Sequence, residues 1–66
     1  MNEYIIPIYN KNREKVYLKK YIARSLNDCM DKIMEDFDYY DSDWSEFKNE
    51  LSDEYVFGNI VDKDEL

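Results

Sequence analysis

SLNDCMDKIMEDFDYYDSDWSEFKNEL, residues 25–51, decides the fold. Its apolar residues Leu26, Cys29, Met30, Ile33, Met34 and Phe37 recur at steps of three and one, and the stripe continues through Tyr40, Trp44, Phe47 and Leu51. That is the period of a helix with one buried face. The opposite side is acidic: Asp28, Asp31, Glu35 and Asp38, then Asp43, Glu46, Glu50 and Asp53. Such a segment buries one side and shows water a row of carboxylates. Ser25 is placed to cap its start, with Asp28 three residues on to reach back. Asp38-Tyr-Tyr-Asp-Ser-Asp43 reads as a break, with Asp41 or Ser42 capping a second short helix. One continuous helix is the alternative.

Working outward, Tyr4-Ile-Ile-Pro-Ile-Tyr9 and Lys15 to Ala23 are rich in β-branched and aromatic residues and read as strands. The polar Asn10–Glu14 stretch joins them as a hairpin. In the second strand Val16, Leu18 and Ile22 share one face, and Tyr17, Lys19, Tyr21 and Ala23 the other. We expect the first set inward, with Tyr17, Lys19 and Tyr21 on an open sheet face. Lys20, which falls among the apolar set, then requires snorkelling or a bulge. Tyr55 to Val61 reads as a third strand, with Gly58 marking a bulge or a close backbone approach. A frayed tail from Asp62 is expected.

The expected class is α+β: one domain, 1–66, with a small three-stranded, mostly antiparallel sheet and one or two helices on one face, ββα(α)β. Strand order 2-1-3 makes every pair antiparallel but centres Pro7, which lacks a ladder donor. Order 1-2-3 moves Pro7 to an edge but makes one pair parallel. The first is favoured; the residues leave both open.

Composition narrows the chemistry. Sixty-six residues support only a small core. One cysteine forms no internal disulfide, and without histidine the commonest metal ligand and general base are both missing. Cys29 lies within the apolar stripe, where a buried thiol is the expectation. Asp36, Asp38, Asp41 and Asp43 do not meet the calcium-loop pattern, which needs Gly at its sixth position and Glu at its twelfth. Neither a catalytic constellation, a metal site nor a cofactor is expected. No leader or membrane span is read, so the expected location is cytoplasmic. Lys63-Asp-Glu-Leu66 spells a lumenal retention address. With no leader expected, it is taken as a coincidence of acid-rich composition.

Charge is the strongest compositional fact. The chain carries a net −7. Residues 1–25 hold six basic residues against two acidic ones, a net +4, and residues 26–66 three against fourteen, a net −11. The expected function is that of a non-enzymatic binding protein. Its partner-binding residues are Asp28, Asp31, Glu35, Asp38, Asp43, Glu46 and Glu50, which dock on a basic protein surface of the kind that holds nucleic acid. Direct nucleic-acid or membrane binding is not expected of so acidic a chain. In size, charge and architecture the chain is similar, as a type, to small acidic inhibitors that phages and mobile elements encode against host nucleases, restriction and CRISPR systems. The alternative is a protein-interaction or homodimerising module that uses a tyrosine-rich sheet face around Tyr17 and Tyr21.

Overall fold

A computed structural model describes residues 1–65. The Lys63–Leu66 tetrapeptide therefore ends outside the described residues. Strands β1 (Asn2–Asn10) and β2 (Lys15–Ala23) form a hairpin, followed by α1 (Leu26–Asp36), α2 (Trp44–Glu50), β3 (Tyr55–Phe57) and β4 (Val61–Asp62). A single 3-10 turn, Lys63–Glu65, follows β4. The class is α+β, a small antiparallel sheet with two helices.

β1 is central. β2 pairs along one side over its whole length, while β3 and then β4 pair along the other, all antiparallel. Asn10 Oδ1 accepts from the Asn12 and Arg13 N–H groups and shapes the hairpin loop, and Glu14 takes φ 53° just before β2.

The favoured order 2-1-3 is the observed one, and the Pro7 conflict resolves locally. Pro7 C=O accepts from Gly58 N–H at 2.8 Å. In a strand, a residue's N and C=O point to the same side. The missing N–H of Pro7 therefore faces the third-strand side, not β2. There the expected continuous strand Tyr55–Val61 is interrupted at Gly58, giving β3 and β4. A Cβ on Gly58 would lie 2.5 Å from Pro7 Cγ. The close approach read at Gly58 is thus real, and it breaks the strand.

Alternation on β1 puts Tyr4, Ile6 and Ile8 under the helices, where all three are buried. Cys29, Ile33 and Met34 of α1 and Phe47 of α2 close over them, with Ala23 at the β2 end. Phe47 is fully buried among aromatic rings, with centroids 5.0 Å from Phe57, 5.4 Å from Trp44 and 5.8 Å from Phe37. These tilted and stacked contacts add to simple burial. The stripe is therefore the core face, except at Leu26, its start, and Tyr40, in the break between the helices, which are exposed.

Three further expectations are corrected. The α2 cap is Asp43, whose carboxylate accepts from Glu46 N–H at 3.1 Å, not Asp41 or Ser42. The tail is tied down as far as Asp64, whose carboxylate accepts from Glu3 N–H at 3.3 Å. Asp62 accepts from Asn2 Nδ2 at 2.9 Å and Lys63 pairs with Glu3 at 3.1 Å. β2 faces the opposite way to expectation. Ala23 is buried and Tyr21 half-buried on the helix side, while Val16, Leu18 and Ile22 face away and are exposed. The register runs without a bulge, so Lys20 simply projects from the open face.

Candidate functional site: an acidic helical layer

Of the seven predicted carboxylates, Asp28 and Asp43 cap helices and Asp38 ends one through its backbone. Ser25 Oγ accepts from Asp28 N–H at 3.2 Å, and Asp28 Oδ2 accepts from Arg24 N–H at 3.0 Å, one residue before the cap. Asp28 also lies 3.9 Å from Lys32 Nζ. It is therefore an N-terminal capping group, favoured by the helix dipole. Asp43 caps α2 as Ser25 caps α1, from the N-cap position, its carboxylate accepting from Glu46 N–H. Asp38 stands just past the end of α1 at φ 58°. Its N–H donates to Glu35 C=O and that of Tyr39 to Met34 C=O, both at 3.0 Å. This pair of bonds is the Schellman pattern that closes a helix through a left-handed residue.

Asp31, Glu35, Glu46 and Glu50 are the carboxylates left over. All four are exposed, and none makes a side-chain hydrogen bond or ion pair among the described residues. They converge on Tyr39. Asp31 and Glu35 line a shallow concavity of about 130 Å³ with Met34, Tyr39, Tyr40 and Ser42. Tyr39 Oη is buried without a hydrogen-bond partner. Its pKa is raised, first by burial and then by the negative charge of Glu46, Glu50, Asp41 and Asp43. Tyr39 thus borders the α1 carboxylates in the concavity and lies in the field of those on α2.

Two participants escaped the sequence reading. Tyr39 lies off the helical count, which passes through Tyr40, because the turn at Asp38 ends that count. The usable signal was the rule that the second residue after a helix packs back on its last turn, here Tyr39 on Met34. Asp36 is the other. It accepts from Tyr21 Oη at 2.7 Å and from Lys19 Nζ at 3.3 Å. Tyr21 is therefore committed to the α1 side of the sheet, and Tyr17 lies on that same side at its rim. The tyrosine-rich open face does not form.

Cys29 is buried, and burial followed by the neighbouring Asp28 charge raises its thiol pKa. Among the described residues, no group of three or more Cys, Asp or Glu side chains is placed to hold a metal ion, and no helix is long and apolar enough to cross a membrane. Fold and site together define a small two-layer α+β domain with an acidic helical layer. Compared with family models, curated proteins and solved structures, the chain matches none.

Proposed function

We propose that this chain is a non-enzymatic binding protein that lays its acidic helical layer on a basic surface of another protein, one built to hold nucleic acid, and inhibits it by occupying that surface. The observation that carries this reading is the convergence of carboxylates from α1 and α2 around Tyr39. Asp28 and Asp43 have folding duties, but Asp31, Glu35, Glu46 and Glu50 have no ionic partner among the described residues. Like charges spaced this way repel slightly along a helix, so folding alone does not favour the row. Carboxylates three to four residues apart stand ~5 Å apart along the axis, the same order as the ~3.4 Å phosphate rise of a DNA strand.

The test is a triple reversal, Asp31→Lys, Glu35→Lys and Glu50→Lys, which leaves both caps in place. Wild type and variant are immobilised and presented with the heparin-retained fraction of a cell extract, with duplex DNA as competitor. The expected partner binds wild type, is displaced by DNA and by salt, and is absent from the variant. Captured proteins that ignore both the reversal and the competitor would sink this reading.

A further inference from the structure

The side of the sheet turned away from the helices is aliphatic. Leu18, Val16 and Ile22 are 67, 64 and 60% exposed, and Val56 is 50% exposed. Val16, Leu18 and Val56 adjoin around Pro7 and Tyr9, and Ile22 lies beyond Lys20 on the same face of β2. Register sets Leu18 across from Pro7, while Val16 and Val56 flank Tyr9 from either side. Single exposed apolar residues are ordinary, but a joined patch of this kind marks a contact surface. Two nine-residue strands and the broken third make it. At ~3.4 Å per residue and ~4.8 Å per strand, its extent is on the order of 400 Å².

Its charge is unlike that of the rest of the molecule. Within the strands the one acid on this side is Glu3, held by Lys63 at 3.1 Å and Lys20 at 3.9 Å. In a chain of net −7, two copies can meet on this face with its one strand acid already paired to lysines. Joined here, the two acidic layers lie on outer surfaces, separated by both sheets and their ~10 Å gap, more than the ~8 Å screening length. The free edge of β2 is a poorer self-contact. Lys19 and Lys20 sit at its middle, and the Ile22 carbonyl is already taken by Lys32 Nζ at 2.8 Å.

We infer that this face binds a second copy of the chain, sheet on sheet, as a two-fold symmetric dimer. The inference goes beyond the acidic-layer reading and concerns the opposite side of the molecule. Two patches of this size bury on the order of 800 Å², below the ~1,200–2,000 Å² of stable complexes. The dimer is therefore reversible and weak, populated at high micromolar concentration. Lys20 stays paired with Glu3 at 3.9 Å on the same face, its stem lying on the apolar surface.

Sedimentation equilibrium from about 5 µM to about 1 mM tests this, a range that covers weak, reversible dimers. Wild type should follow a monomer–dimer equilibrium. Leu18→Glu, at an exposed position, should keep the wild-type circular dichroism and weaken the dimer by at least about tenfold. Ile22→Thr, which keeps a strand-forming residue, should weaken it in the same direction and serves if Leu18→Glu does not fold. Tyr40→Ser, exposed but off the face, should leave it unchanged. A strict monomer at the highest concentration overturns the inference, as does a dimer insensitive to both face variants. A dimer broken by the Asp31/Glu35/Glu50 reversal but not by Leu18→Glu places the contact on the acidic layer and overturns it too.

Discussion

Tyr21 donates its hydroxyl to Asp36 Oδ2 at 2.7 Å, pinning the middle of β2 to the last turn of α1. Lys19 Nζ reaches the same oxygen at 3.3 Å. Burial and then the Asp36 contact raise the Tyr21 pKa, while the Tyr21 hydrogen bond, followed by Lys19, lowers that of Asp36 against an opposing effect of partial burial.

The two shifts act at opposite ends of the pH scale. A lowered carboxyl stabilises the fold above its unfolded value of 3.8, and that contribution disappears as pH falls through the lower folded value. A raised phenol stabilises below its unfolded value of 10.0, and that contribution disappears as pH rises towards the higher folded value. Tyr21→Phe should therefore lower stability near neutrality by no more than about 1 kcal/mol, given how much water reaches Asp36. The deficit should shrink as pH falls below 3.8 and disappear as it passes through the lower folded value. Urea unfolding across pH checks the acid limb, and phenolate absorbance should show the variant missing one late-titrating tyrosine. Parallel pH profiles for the two proteins would contradict the assignment.

Ile33 is fully buried in the cluster that joins α1 to Tyr4, Ile6 and Ile8. Ile33→Ala should destabilise by about 2–5 kcal/mol. A chain this size holds only a few kcal/mol in all, so a large unfolded fraction is expected at room temperature. Tyr40→Ala, at a residue 71% exposed in the same sequence stripe, should stay within about 0.5 kcal/mol of wild type. Similar denaturant midpoints for the two variants would mean that the stripe is not the core face.

Gly58 is irreplaceable for a steric reason. Its φ is not positive, so backbone strain is not involved. A Cβ there would lie 2.5 Å from Pro7 Cγ. Gly58→Ala should cost about 1–3 kcal/mol through overpacking. Pro7→Ala removes the ring, so the double variant should recover about 1 kcal/mol relative to the sum of the single effects. Strict additivity in a thermal-unfolding cycle would show that the two residues do not compete for space.

Periodicity made α1 and α2 legible because a helix repeats its buried positions over many residues, and Ile33, Met34 and Phe47 took the places it assigned. β2 was harder for a physical reason. Alternation says which residues share a face, not which face is inward. Val16, Leu18 and Ile22 look more like core than Tyr17, Lys19 and Tyr21, yet β2 is an edge strand whose inner side lies at the rim of the helical layer. There the long amphipathic Tyr21 and Lys19 reach Asp36, while small Ala23 fits beneath the start of α1. The acidic row was legible as a row, but not in its division of labour. Asp28 and Asp43 are capping groups by their position just before or just inside a helix, and Tyr39 joins the cluster only because Asp38 turns the chain.

Asp38 is the place where the row works against the fold. It holds φ 58°, a region that disfavours side chains with a Cβ and that glycine enters freely. Its carboxylate also stands at the negative end of the α1 dipole. The two hydrogen bonds that close α1, Asp38 N–H to Glu35 C=O and Tyr39 N–H to Met34 C=O, use only backbone atoms and need no Asp side chain. Asp38→Gly should therefore keep both bonds and stabilise the protein by about 0.5–1 kcal/mol, raising Tm by a few degrees. Asp38→Val should act in the opposite direction by about 1–2 kcal/mol, because a β-branched residue is strained in the left-handed region. Thermal melts of the three proteins at one concentration should rank Gly above Asp above Val. If Gly melts below wild type, the Asp38 carboxylate makes a stabilising contact in solution, and the closure of α1 is not carried by the backbone alone.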